Sequence, residues 1–148
     1  MRFPQILLVS ASVALVCAAY LVFAPSTGWT TDYDAAKASA AKSGKKVILD
    51  FTGSDWCTYC KKLDKEVFST PEFKAFAKDY VLVCLDFPNG KKLPEAERKQ
   101  NAALQAQFKV DEFPTVIVTD GSGAEIRRVS GYEPDSGPRA YLAQFARN

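Results

Sequence analysis

The chain reads as one α/β domain with a central mixed sheet flanked by helices, preceded by an N-terminal hydrophobic helix. Short apolar runs with β-branched members alternate with longer helical stretches. The third of these runs is followed by a Gly-rich turn and a returning strand, which makes part of the sheet antiparallel. The 148 residues suffice for a single core and show no internal repeat, low-complexity tract or second domain.

Residues 1–27 are set apart by charge, because Arg2 is the only charged side chain between Met1 and Thr31. Ile6–Ala24 is a 19-residue run whose only polar members are Ser10, Ser12 and Tyr20. It is longer than the usual signal core of about 7–15 residues, and at about 1.5 Å per residue it nearly spans a bilayer. It reads as a secretory signal, cleaved among the small residues Ala24 to Gly28, or as an uncleaved membrane anchor. A lipoprotein signal at Cys17 is a third reading, against which Val16 counts. All three hold Arg2 inside and place residues 28–148 outside the cytoplasm, in a periplasmic or secreted setting.

Thr31–Ser43 is alanine-rich, opens on Thr31-x-x-Asp34 in the manner of a capping box, and stops at Gly44, which predicts a helix. Val47–Phe51 is a buried strand, and Cys57–Val67 is helical. Ser69-Thr70-Pro71-Glu72 starts a short helix with proline in its first turn. Val81–Leu85 is a second strand, Phe87–Lys92 a loop, and Pro94–Phe108 a helix with a polar face. Thr115–Val118 is a third strand, turned by Asp120-Gly121-Ser122-Gly123 into Glu125–Ser130, and Ser136-Gly137-Pro138 opens a last helix to Arg147.

The chain has no histidine. That excludes Ser-His-Asp and Cys-His catalysis, Cys2His2 and HExxH zinc sites, and an imidazole general base. A formal charge of +2 is close to neutral and does not point to nucleic acid, whose binding needs a clustered basic face. What remains is the chemistry of four cysteines.

Trp56-Cys57-Thr58-Tyr59-Cys60 stands where the first strand ends and a helix begins. A cysteine at that point faces unsatisfied N–H groups and the positive end of the helix dipole, which favour thiolate over thiol. Cys60 lies one turn along the same face, within reach of Cys57. The spacing assigns Cys57 as a solvent-facing nucleophile and Cys60 as the thiol that resolves a mixed disulfide. A zinc site would need four ligands, and the exported part offers Cys57, Cys60 and Cys84 without histidine. A purely structural bridge over so short a loop would constrain the unfolded chain little. Redox chemistry is the reading left, with no cofactor beyond the Cys57–Cys60 pair and no metal. Cys84, in Val-Leu-Val-Cys-Leu, reads as core, as do Phe68, Phe73, Phe76, Phe87 and Phe108.

With GSDWCTYCKKL after VILDF, and Phe113-Pro114-Thr115 entering a strand, the chain resembles the thioredoxin superfamily over about residues 33–146. It is similar to exported thioredoxin-like proteins and to the C-terminal thioredoxin domain of transmembrane thiol–disulfide interchange proteins. The resemblance implies a thioredoxin fold and roles at matching positions. Cys57 would attack and Cys60 resolve. Pro114 would be a cis-proline facing the disulfide, which leaves the preceding backbone free for a bound chain. Trp56 would shield the motif. Asp50 would be the buried carboxylate that takes the Cys60 proton, with Asp55 a second candidate because one extra residue separates Asp50 from the motif. Tyr59 sits on the exposed rim, and with Trp56, Phe113 and Thr115 it would contact substrate.

Such domains range from reducing, about −270 mV, to oxidising, about −120 mV. Thr58-Tyr59 supplies no cation, and Lys61 and Lys62 are screened by solvent. The expectation is therefore a monomeric reductase or interchange protein. Its partners would be exported protein thiols and disulfides and an upstream electron donor, with possible anchoring through residues 6–24. A binding or chaperone-like module, or an accessory factor handing electrons to one client such as an apocytochrome, are the other readings. The FPNGKKLPEAE segment is a candidate specificity element or a solvated loop.

Overall fold

The computed structural model describes residues 28–146. The expected export segment and Arg147 lie outside the described residues. The elements in order are α1 (Tyr33–Ser43), β1 (Lys46–Thr52), α2 (Thr58–Leu63), α3 (Pro71–Phe76), β2 (Tyr80–Asp86), α4 (Glu95–Gln107), β3 (Thr115–Thr119), β4 (Glu125–Ser130) and α5 (Gly137–Ala146). The sheet runs β2-β1-β3-β4, with β1 parallel to β2 and both other pairings antiparallel. Among the described residues no helix is long and apolar enough to cross a membrane.

The alternation of side chains along β1 divides the core into two layers. Val47, Leu49 and Phe51 pack with Ala36 and Ala40 of α1 and with Leu104 of α4. Ile48 faces the other way, into Leu63, Val67, Phe68, Phe73 and Tyr141. Asp50 follows Ile48 in this period-two pattern, so the backbone delivers a carboxylate to the face that α2 covers. The parallel register places Cys84 of β2 opposite Asp50, on that same face.

Three local expectations are corrected. The first helix starts at Tyr33, and Asp32, not Thr31, is its N-cap, accepting from the Ala35 N–H at 2.9 Å. The preceding residues are drawn to the sheet instead. The Thr30 N–H donates to the Leu82 carbonyl, and the Cys84 N–H to the Thr30 carbonyl. The helix after the motif is not uniform, since α2 ends at Leu63 and Asp64–Phe68 form a π-helical turn. Cys84 is half-buried rather than core. The stop at Gly44 stands as expected, with a left-handed φ of 68°.

Candidate active site

The five residues after β1 fold into a tight turn in which the Gly53 carbonyl accepts from the N–H groups of Trp56 and Cys57. Cys57 then occupies the N-cap of α2, where its Sγ accepts the Cys60 N–H at 3.2 Å. Cys57 and Cys60 are joined in a disulfide. Contrary to the expectation of a solvent-facing first cysteine, Cys57 is 5% exposed and Cys60 4%. Capping α2 and bridging to Cys60 turn the Cys57 side chain inward. An N–H aimed at the Cys57 sulfur favours its thiolate once the bond is reduced.

Beneath the disulfide lies a cavity of about 280 Å³, with Asp50, Cys60, Cys84 and Asp64 in its wall. Asp50 is 7% exposed, and its Oδ1 has no hydrogen-bond partner. Burial, then the charges of Asp64 and Asp86, push its carboxyl up to about 8. Asp86, equally buried, behaves in the opposite way. Burial works against its charge, yet Lys91 at 2.8 Å and the Ser54 N–H and hydroxyl at 2.9 and 2.7 Å outweigh it and hold Asp86 below the usual carboxylate range. Two neighbouring carboxylates are thereby driven apart in proton affinity, the arrangement that separates a proton acceptor from a fixed charge. Burial and then Asp50 push the Cys84 thiol up to about 12.

The second candidate, Asp55, lies at the surface and accepts from the N–H groups of Asn89 and Gly90, which lower its proton affinity. The Trp56 indole donates to the Phe87 carbonyl at 2.7 Å and meets Phe113 edge-on at 5.7 Å. Tyr59, 53% exposed, stands on the rim. The Phe113–Pro114 bond is cis. Thr115 is buried, and its hydroxyl donates to the Glu112 carbonyl at 2.9 Å, so Phe113 rather than Thr115 faces outward here. Lys61 donates to the Asp55 carbonyl at 3.0 Å. Among the described residues no three His, Cys, Asp or Glu side chains are grouped to hold a metal ion.

Sequence reasoning missed Asp86, Ser54, Asp64 and Trp29, which adjoin Asp50 or its cavity. The alternation in Val-Leu-Val-Cys-Leu-Asp put Cys84 and Asp86 on one face of β2, and only the strand pairing aimed that face at Asp50.

A mixed sheet bearing a dithiol pair at the start of a helix defines a thioredoxin fold. The family model for the thioredoxin-like domain matches residues 33–146, and the chain belongs to that family. Over 101 residues it is 40% identical to the disulfide bond reductase DsbH of Chlamydia pneumoniae, covering 68% of this chain and 60% of that protein. It is 33% identical over 112 residues to the thiol:disulfide interchange protein DsbD of Yersinia enterocolitica, covering 74% of this chain and 18% of DsbD. A solved DsbH oxidoreductase structure superposes with a TM-score of 0.74 at 34% identity, over 80% of this chain and 81% of that one. The chain thus spans about three-fifths or less of these two curated relatives.

Proposed function

We propose that the domain is a thiol–disulfide oxidoreductase that works in the reducing direction on exported proteins. The observation that carries this is the Cys57–Cys60 disulfide with the Cys60 N–H on the Cys57 sulfur and, in a cavity wall shared with Cys60, an Asp50 carboxyl whose Oδ1 has no hydrogen-bond partner. In the reduced protein the Cys57 thiolate attacks a client disulfide. A Cys57–client mixed disulfide forms, and the first client sulfur leaves as a thiolate that takes a proton from water. Cys60 then loses its proton to Asp50 in its carboxylate form and attacks the Cys57 sulfur. The second client sulfur leaves as a thiolate that takes a proton from water, and the pair, having given two electrons to the client, closes as the Cys57–Cys60 disulfide. An upstream dithiol donor restores the pair. Trp56, Tyr59 and Phe113 form the apolar rim on which a client chain rests, next to Pro114 and Thr115. The names of the relatives, a disulfide bond reductase and an interchange protein, support this direction.

The division at residue 27 belongs to the same reading. Residues 1–27 export the chain or anchor it through residues 6–24, and residues 28–148 act outside the cytoplasm as a monomer. Arg2 followed by the apolar run supports this. Insulin-disulfide reduction tests the chemistry. Cys57→Ala is expected to abolish turnover, and Cys60→Ala to accumulate mixed disulfides visible on a non-reducing gel. Retained turnover in both variants would overturn the assignment.

A further inference from the structure

Most of the cavity wall behind the disulfide comes from elements already given a task, but Trp29 belongs to the segment that enters the domain ahead of α1. Its indole stacks on Phe73 at 5.9 Å, with the ring planes 4° apart, and leans on Phe68 at 5.0 Å. The segment is clipped to β2 by the two Thr30 backbone hydrogen bonds. It is clipped to α4 by Gln100, which donates to the Thr31 carbonyl and accepts the Tyr33 N–H. A large apolar ring is therefore fixed against a cavity whose buried carboxylate oxygen, Asp50 Oδ1, lacks a protein partner. At about 280 Å³ the cavity has room for water to be that partner. The groups facing Asp50 are Cys60 and Lys61 of α2, Asp64 of the π-helical turn, Cys84 and Asp86 of β2, and Tyr141 of α5. Neither nearby cation is paired with Asp50, since Lys61 donates to the Asp55 carbonyl and Lys91 pairs with Asp86. With no counter-ion held against it, the proton on Asp50 answers first to burial and then to the charges of Asp64 and Asp86.

We propose that Trp29 is a positioning residue whose indole closes the back of this cavity against bulk water and limits the water that reaches the Asp50 carboxyl beside Cys60. The catalytic consequence rests on the reading of Asp50 as the acceptor of the Cys60 proton. Opening the wall lets water stabilise the carboxylate, so Asp50 gives up its proton at lower pH.

The test uses the full-length chain. The Asp50 carboxyl carbon is titrated by ¹³C NMR, assigned with Asp50→Asn, and the pH profile of kcat/KM for insulin reduction is recorded on the same proteins. Trp29→Ala is expected to lower the Asp50 midpoint by about one pH unit or more, with the inflection in the profile moving in parallel. Trp29→Phe should restore both. Should Trp29→Ala fail to fold, Trp29→Leu keeps contact with Phe68 and Phe73 and is expected to show the same shift. An unmoved Asp50 midpoint in a folded Ala or Leu variant overturns the proposal. A moved midpoint, with an inflection that survives Asp50→Asn, upholds the shielding by Trp29 and overturns the proton-acceptor role of Asp50.

Discussion

Asp50 and Asp86 show how little of a residue's chemistry is set by its type. Both are buried carboxylates on neighbouring strands of one face. Asp86 has Ser54 and Lys91 and stays ionised, whereas Asp50 has neither and is pushed up to about 8. Cys84 makes the same point among the thiols. Pushed up to about 12, it carries almost no thiolate near neutrality, and the thiolate is the reactive form. Iodoacetamide at pH 7 on the reduced protein should therefore label Cys57 well before Cys84, read as the masses of the two tryptic peptides. Equal rates would show that Cys84 is not shielded as its surroundings require. Cys57 was legible from spacing and Asp50 from the family resemblance, but Ser54, which helps separate Asp86 from Asp50, lies 32 positions from Asp86 and left no local trace.

At the scale of elements, the loop between β2 and α4 is latched to the redox motif. Asp55 accepts the Asn89 and Gly90 N–H groups, the Trp56 indole donates to Phe87, and the Phe87 N–H donates to Thr52. This latch occupies the Asp55 carboxylate at the surface, away from the cavity that Asp50 lines. Asp55→Ala should speed amide exchange at Asn89 and Gly90 by about tenfold or more while β1 and β3 amides stay protected. Unchanged exchange at both positions would mean that the loop is held by other contacts. The helices and strands themselves were legible from periodicity and turn residues. The π-helical turn at Asp64–Phe68 was not, because its apolar spacing resembles an ordinary continuation of α2.

For the whole molecule, Asp50 ties stability to pH. Its proton affinity rises on folding from an ordinary 3.8 to about 8, so the folded chain holds a proton that the unfolded chain releases within that window. Its contribution to stability is intact below about pH 4 and is lost as pH rises towards 8, a change on the order of several kcal/mol. Asp86, lowered on folding, contributes in the opposite sense, and that contribution is lost as pH falls. Urea unfolding of wild type and Asp50→Asn at pH 5 and pH 8 separates the two. The variant should be the more stable protein at pH 8, and the gap should narrow at pH 5. An equal gap at both values would show that Asp50 does not change its protonation on folding.

The order of strands and helices, the terminal hairpin, the placement of Cys57 and Cys60 at a helix start, and the absence of imidazole chemistry were all determined by sequence alone. Each depends on residue type, periodicity or spacing of a few positions. The inward turn of Cys57, the role of Asp32 as N-cap, the cavity behind the disulfide, and the pairing of Asp86 with Ser54 and Lys91 were decided only in three dimensions. So was the placement of Trp29 in the wall of the cavity that Asp50 lines. The physical reason is that burial and proton affinity depend on which strands become neighbours, and the β1–β2 register brings Asp50 and Cys84 together across 34 residues of chain.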